Sequence, residues 1–372
     1  MKIVLTGAHG FLGWHTRVRM HALTDHEVVP VGRDNLDDLP ALCEGADAVI
    51  HIAGVNRGTD DEVANGNQRL ARQVGDAVTA SGGARIVFAN SIQAGNGSPY
   101  GDGKAEAGEI LADAAKKSGS RYVDVRLPNI FGEHGRPRYN SFVATFVEAV
   151  VNGAEPEIAD RPVELLHVQS AAQSLIDALT TEEGRLDPQG EQTSVQTVFE
   201  TLTSFRATYD NGDIPPLLST FDVDLFNTLR AAMFPEHYPI PLTVHADDRG
   251  RLVETVRAHG GQGQTFVSTT RPGITRGDHF HLSKVERFVV LAGQARISLR
   301  KVLTDEVISF DVSGDEPAVI DMPTMWVHNI TNTGETEVVT LFWTDTLFDP
   351  NAPDTYWEPV ALDATLETKA NA

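Results

Sequence analysis

Two histidines and a glutamate fall within eight residues of the stretch GDHFHLSKVE, at His279, His281 and Glu286. Histidines two apart on an extended chain put both imidazoles on one face of a sheet. Glu286 can return across a turn to a neighbouring position, and His328 in PTMWVHNITN is the candidate fourth donor. Three imidazoles and a carboxylate suit Zn2+, Ni2+ or Fe2+; ligand type does not choose among them. The single cysteine, Cys43, rules out a thiolate cluster and an intrachain disulfide.

A second set lies near the start. TGAHGFLG places Gly7, Gly10 and Gly13 just after an apolar run and at the opening of a helical segment. Glycines there allow a tight turn and close backbone approach, and the helix N-terminus offers free N–H groups to a pyrophosphate. Gly7, Gly10, Phe11, Leu12 and Gly13 are therefore candidate dinucleotide contacts. Arg33 ends the second apolar run, where an acidic residue would bind the ribose of NAD and an arginine can pair with the 2′-phosphate of NADP. NADPH is the expected cofactor, although Asp34 follows directly.

Tyr100 and Lys104 would share one face of a helix over 100–118, with Ser98 as N-cap and Pro99 at the first position. A lysine beside a phenol lowers its pKa. Such a tyrosine can hand a proton to a carbonyl oxygen as hydride reaches the carbon. Ser91 could hydrogen-bond the same oxygen.

The elements that must hold these groups are legible. KIVLTGA (2–8), EVVPVGR (27–33), DAVIHIAG (47–54), ARIVFANS (84–91) and RYVDVRLPN (121–129) read as strands buried on both faces, with helices such as 64–80 and 104–118 between them. This alternation predicts an α/β domain with a doubly wound parallel sheet, over residues 1–240. From 243 to 365 the texture changes. In QARISLRKV, Ala295, Ile297 and Leu299 alternate with Arg296, Ser298 and Arg300, the pattern of a strand with one solvated face. Further short runs separated by turn residues predict an all-β barrel.

The net charge is −22, which opposes non-specific nucleic-acid binding. No segment approaches 18 uninterrupted apolar residues, so no membrane span is expected. The chain opens directly on a strand-like segment without a leader, and a cytoplasmic protein is expected.

Together, TGAHGFLG, HIAGVN, ANSIQA, YGDGK and RLPNIFG resemble the extended short-chain dehydrogenase/reductase family, many of whose members act on nucleotide-sugars. The resemblance implies that Ser91, Tyr100 and Lys104 are catalytic and that Ala53, Gly54 and Asn129 approach the cofactor. It also places Asn67, Asn140 and Arg161 at the substrate. Two features depart from the pattern: Ser91 and Tyr100 lie only nine residues apart, and HVQSAA (167–172) lacks the usual acidic residues. Further on, Gly273, His279, His281, Glu286 and Gly293 resemble the first cupin motif at every position. Pro323, His328 and Asn332 match the second, but Met325 stands where a glycine is usual.

End to end, the chain resembles a family of bifunctional capsular polysaccharide synthesis enzymes. HIAGVNR (51–57), NSFVATF (140–146), DRPVEL (160–165), RPGITRGDHFH (271–281) and LFDPNAPDTY (347–356) carry the likeness. It implies a zinc-bound cupin that epimerises carbon 3 of a UDP-2-acetamido-2,6-dideoxy-4-hexulose. An NADPH-dependent reductase then acts at carbon 4, on the route to UDP-N-acetyl-L-fucosamine, in a homodimer. The order follows from chemistry: the carbon 3 proton is removable only while carbon 4 is a ketone. The rival readings are a single-activity nucleotide-sugar 4-epimerase or reductase with a structural, dimerising cupin, and a non-catalytic sugar-binding module. The epimerisation base is not legible; Lys284, Glu254, Asp321 and Tyr356 stand as equals.

Overall fold

The computed structural model describes residues 1–362; positions 363–365 of the expected second domain lie outside the described residues. The chain forms two compact units, Met1–Thr145 with Ile158–Gln196, and Phe146–Glu157 with Thr197 onward. Most of the helix Val195–Tyr209, and all of Thr220–Met233, therefore group with the C-terminal unit.

The first unit is built on six parallel strands in the order Glu27–Val31, Lys2–Thr6, Ala48–His51, Arg85–Ser91, Tyr122–Leu127, Arg185–Leu186. This is the expected doubly wound sheet. Ile3, Leu5, Ile50 and Val87 pack against Leu12, Met20 and Leu175 on one face. Val4, Val49, Ile86 and Phe88 pack against Val74, Val78 and Leu111 on the other. Burial on both faces is why these strands lack polar alternation. The chain leaves Lys2–Thr6 for one neighbour and returns on its other side as Ala48–His51. That reversal opens a crevice at the carboxyl ends of the two strands, where open α/β sheets take their ligands. The helix Pro99–Ser118 starts as expected, with Pro99 at its first position and the Ser98 hydroxyl accepting from the Gly101 N–H at 3.0 Å.

The second unit holds two five-stranded antiparallel sheets, a cupin-like barrel. One runs Ile240–Pro241, Ala318–Met322, Glu286–Ala292, Val338–Thr344, Gln264–Thr270; the other runs Val307–Ser313, Gln294–Lys301, Trp326–Asn332, Thr275–Phe280, Tyr356–Trp357. Ala295, Ile297 and Leu299 point inward as expected, but Arg300 is buried too. Its guanidinium donates to the carbonyls of Val360 and Thr304 at 3.0 Å and of Pro359 at 2.9 Å. These carbonyls and the Glu358 carboxylate, which its Nη2 also meets, thus take the place of solvent for that charge. Among the described residues no helix is long and apolar enough to cross a membrane, and Cys43 is buried and free.

Candidate functional site

The glycine turn is shaped for backbone contact. Gly7 has φ of +71°, and a Cβ there would lie 2.8 Å from the Ala53 nitrogen. A Cβ on Gly13 would lie 2.1 Å from the Gly7 carbonyl oxygen, so the helix Phe11–Leu23 seats directly on the turn. Gly10 caps that helix without a side-chain bond, which leaves its first N–H groups for an anion. The Leu12 side chain belongs to the core, so Leu12 can meet a dinucleotide only through its backbone. Arg33 is exposed just past the strand Glu27–Val31.

Beside the turn, the Ala53 N–H donates to Thr6 Oγ1 at 3.3 Å, and that hydroxyl pairs with His51 Nδ1 at 2.7 Å. His51 stacks on Phe88, and Lys104 Nζ lies 4.0 Å from the centre of the same ring. Burial, with the Lys104 charge adding to it, pushes His51 down to about 3. Lys104 is buried, donates to the Ala89 carbonyl at 2.6 Å and is pushed down to about 7 by desolvation, against a small opposing pull from Asp124. The Ser91 hydroxyl lies near enough to the Tyr100 phenol to favour its ionised form, so the short spacing between the two does not keep them apart. The expected lowering of the phenol by the lysine is corrected. Tyr100 is raised by burial, which outweighs the opposing effect of the Ser91 hydroxyl, while Lys104 is engaged with the main chain.

Asn67, expected at the substrate, is held by its own loop and helix. It is buried, its amide nitrogen donates to the Val55 and Val63 carbonyls at 2.7 and 2.8 Å, and its oxygen accepts from the Val55 N–H at 3.1 Å. An amide has both a donor and an acceptor, and here both hold the loop after Ala48–His51. Asn129 donates to the Glu164 carbonyl at 3.2 Å, and Asn140 and Arg161 are exposed. Within HVQSAA, His167 Nε2 meets buried Glu133 at 3.0 Å, and the Glu133 carbonyl meets His15 Nε2 at 2.8 Å. His167 and His15 hold the Glu133 carboxyl down at about 2 despite its burial.

In the barrel, His279, His281, Glu286 and His328 bring one donor atom each within 4.8 Å of one another. Glu286 Oε2 is the centre, 3.0 Å from His281 Nε2, 3.1 Å from His328 Nε2 and 4.0 Å from His279 Nε2. Three strands and a turn build the cup. His279 comes from Thr275–Phe280, where a bulge at Asp278, φ +62°, shifts the register before it. Such a bulge re-aims the following side chain. His281 lies just past that strand, Glu286 opens Glu286–Ala292, and His328 sits in Trp326–Asn332. Met325, the residue in place of the usual glycine, has φ of +61°: the backbone keeps the left-handed turn and the buried thioether side chain fills the space beneath it.

The donor set suits a dication. Desolvation first, then the neighbouring histidines, pushes His279 down to about 3. Burial opposes the charge on Glu286, yet His281 and His328 hold it well below the usual carboxylate range. His328 Nδ1 lies 3.1 Å from the Trp326 carbonyl, which turns Nε2 toward the cup. The cup opens on a cavity of about 2070 Å³ lined by His279, His281, Glu286, Arg276, Lys284 and Asp345 among others.

Asp345 is the group that spacing does not reveal. It accepts from the Val285 N–H at 2.9 Å, and burial pushes its carboxyl up to about 6. Asp321, one of four bases held equal on sequence, is engaged elsewhere: Arg287 grips it at 2.7 and 2.9 Å and Tyr209 donates to it at 2.6 Å, all buried. Glu254 is exposed, and the Tyr356 ring packs on Phe280.

Comparison with known proteins agrees with this division. The model of the NAD dependent epimerase/dehydratase family matches residues 3–187, and that of the polysaccharide biosynthesis C-terminal domain matches 245–356. The chain is 31% identical over 369 residues to the UDP-2-acetamido-2,6-beta-L-arabino-hexul-4-ose reductase of Pseudomonas aeruginosa, covering 96% of this chain and 98% of that protein. It superposes on the crystal structure of the capsular polysaccharide assembling protein CapF from Staphylococcus aureus with a TM-score of 0.61 and 32% identity, covering 97% of this chain and 100% of the other. A UDP-glucose 4-epimerase from Thermotoga maritima, 16% identical, shares the fold with a TM-score of 0.55 over 63% of this chain and 99% of its own. A nicotinamide-dependent oxidoreductase half and a barrel with a His/Glu cluster thus share one polypeptide, and the chain belongs to the CapF-type family of capsular polysaccharide enzymes.

Proposed function

We propose that this enzyme acts twice on a UDP-2-acetamido-2,6-dideoxy-4-hexulose, inverting carbon 3 in the barrel and reducing carbon 4 in the N-terminal unit, towards UDP-N-acetyl-L-fucosamine. The observation that carries the reading is the cup: three imidazoles and one carboxylate at the wall of a cavity larger than small-ligand pockets of roughly 300–1,000 Å³. A barrel serving only to join two copies has no need of such a cup. The homodimer implied by the family likeness remains part of this proposal.

His279, His281, Glu286 and His328 would hold the cation, with Zn2+ the expected ion. When bound, a divalent ion supplies Lewis acidity to a ketone oxygen. Asp345, pushed up to about 6 and lining the same cavity, is the candidate carboxyl to take the carbon 3 proton, and inversion is completed by a second group or a water that delivers a proton to the opposite face.

NADPH is the preferred hydride source, supported by exposed Arg33 at the end of Glu27–Val31. Tyr100, raised by burial, stays protonated at neutral pH and can donate to the carbon 4 oxygen, with the Ser91 hydroxyl beside its phenol. Lys104, one helical turn on from Tyr100 and braced on the Ala89 carbonyl, carries a charge that burial disfavours. Carbon 3 must be inverted first, because reduction at carbon 4 removes the ketone that makes its proton labile.

The test is incubation with the 4-keto UDP-sugar in deuterated water, with and without NADPH. Deuterium is expected at carbon 3 without any nicotinamide. Reduction without prior label would leave only the single-activity reductase.

A further inference from the structure

The segment LFDPNAPDTY (347–356) gives no donor to the metal cup, yet it is tied to the turn that carries His281. Asp354 is the knot. Its Oδ1 accepts from the Leu282 N–H at 2.9 Å; its Oδ2 accepts from the Ser283 N–H and hydroxyl, each at 3.0 Å, and from the Lys284 N–H at 2.8 Å. Lys284 returns the connection, with Nζ 2.6 Å from the Pro353 carbonyl and 3.2 Å from Thr355 Oγ1. The main-chain carbonyl of Asp354 itself meets His281 Nδ1. Asp354 does this from φ of +42°, a conformation that costs a non-glycine residue free energy and persists only where the surroundings impose it.

We propose that Asp354 is a positioning residue for the metal cup. Its carboxylate collects the N–H groups of 282–284, and its carbonyl takes the Nδ1 proton of His281. The two contacts fix the ring's tautomer and aim Nε2 at Glu286, 3.0 Å away. The strap continues as Tyr356–Trp357, paired with Thr275–Phe280 such that Trp357 faces His279. The Glu358 N–H then donates to the Asp278 carbonyl at 3.0 Å. One stretch of chain thus braces the segment carrying two of the three imidazoles. The inference rests on the reading of the cup as a dication site and would assign ion affinity to a residue that never touches the ion.

The experiment titrates Zn2+ against a chromophoric chelator in the full chain and in the Asp354→Ala and Asp354→Asn variants, and records the visible spectrum of each after loading with Co2+. Asp354→Ala is expected to weaken Zn2+ binding by about 10- to 100-fold and to change the Co2+ bands. Asp354→Asn, which keeps one acceptor but sets an amide N–H against backbone donors, should fall between Ala and the parent. Thermal unfolding of the metal-free proteins separates positioning from folding: a purely structural role lowers the midpoint but leaves the Co2+ spectrum of the folded fraction unchanged. Should the alanine variant fail to fold, the asparagine variant decides alone. Parent-like Zn2+ affinity and Co2+ spectra in the folded variants overturn the proposal while leaving the cup intact. A parent protein that takes up neither ion, or whose uptake is unchanged by His281→Ala, overturns the cup and this inference with it.

Discussion

The two sites in this chain solve opposite problems with opposite materials. The crevice presents backbone: Gly7 at positive φ, an uncapped helix start, and titratable side chains tuned mainly by burial, with Lys104 down to about 7 and Tyr100 raised. The cup presents side chains, and they tune one another: His281 and His328 hold Glu286 ionised, and neighbouring imidazoles add to the desolvation of His279. A site for a large anionic cofactor can be made from a turn and a helix end. A site for a small cation needs several donors aimed at one point, so it draws on strands far apart in sequence.

If that contrast is right, damage to one site should spare the other. The largest effect is expected from His281→Ala: loss of retained metal and of carbon 3 deuterium exchange, with NADPH binding unchanged by fluorescence titration. Exchange at the parent rate would break the comparison outright. Tyr100→Phe should cut NADPH oxidation by about 10²–10⁴-fold while carbon 3 exchange continues. Asp345→Asn should slow exchange by about 10²-fold or more and leave metal content intact, which separates moving a proton from holding the ion.

The way each half accommodates left-handed backbone gives a smaller test. In the crevice the turn uses glycine; in the barrel Met325 adopts φ of +61° while fully buried. Met325→Gly would relieve about 1–2 kcal/mol of strain but forfeit a buried side chain worth about 2–5 kcal/mol. Net destabilisation of about 1–3 kcal/mol is therefore expected from denaturant midpoints. The smallest effect concerns pH. Lys104 has an ordinary value of 10.5 and a folded value of about 7. Between these values the unfolded chain binds the proton and the folded chain does not, so stability rises with pH across that window. Below about 7 both forms carry it and the dependence ends. Lys104→Met should flatten the slope in cofactor-free protein.

The difference between the sites also explains how much of each is legible in the amino-acid sequence. The glycine turn, the Ser98 cap and the His-x-His pair are local, and local spacing carries them. The two sheets follow from the switch between continuous apolar runs and period-two alternation. Asp345 and Asp354 escape such reading because their partners lie 60 to 73 residues away in the chain. The bonds of Asn67 escape for another reason: an asparagine that grips its own loop and one that grips a ligand look the same in sequence. Arg300 reads as solvent-facing because alternation describes faces, and says nothing of the three carbonyls and the Glu358 carboxylate waiting behind one of them.

Glu286 and Arg287 are adjacent on one strand and point to opposite sides. The first enters the cup. The second enters a buried cluster with Asp321, the Gly212 carbonyl and, through Asp321, the Tyr209 hydroxyl. Anyone cutting this protein to isolate its barrel should note where those partners lie. A fragment begun at residue 243 would strip Gly212 and Tyr209 from a guanidinium–carboxylate pair otherwise sealed from water. The neighbouring glutamate would then sit on a strand with a wet, half-satisfied charge at its back.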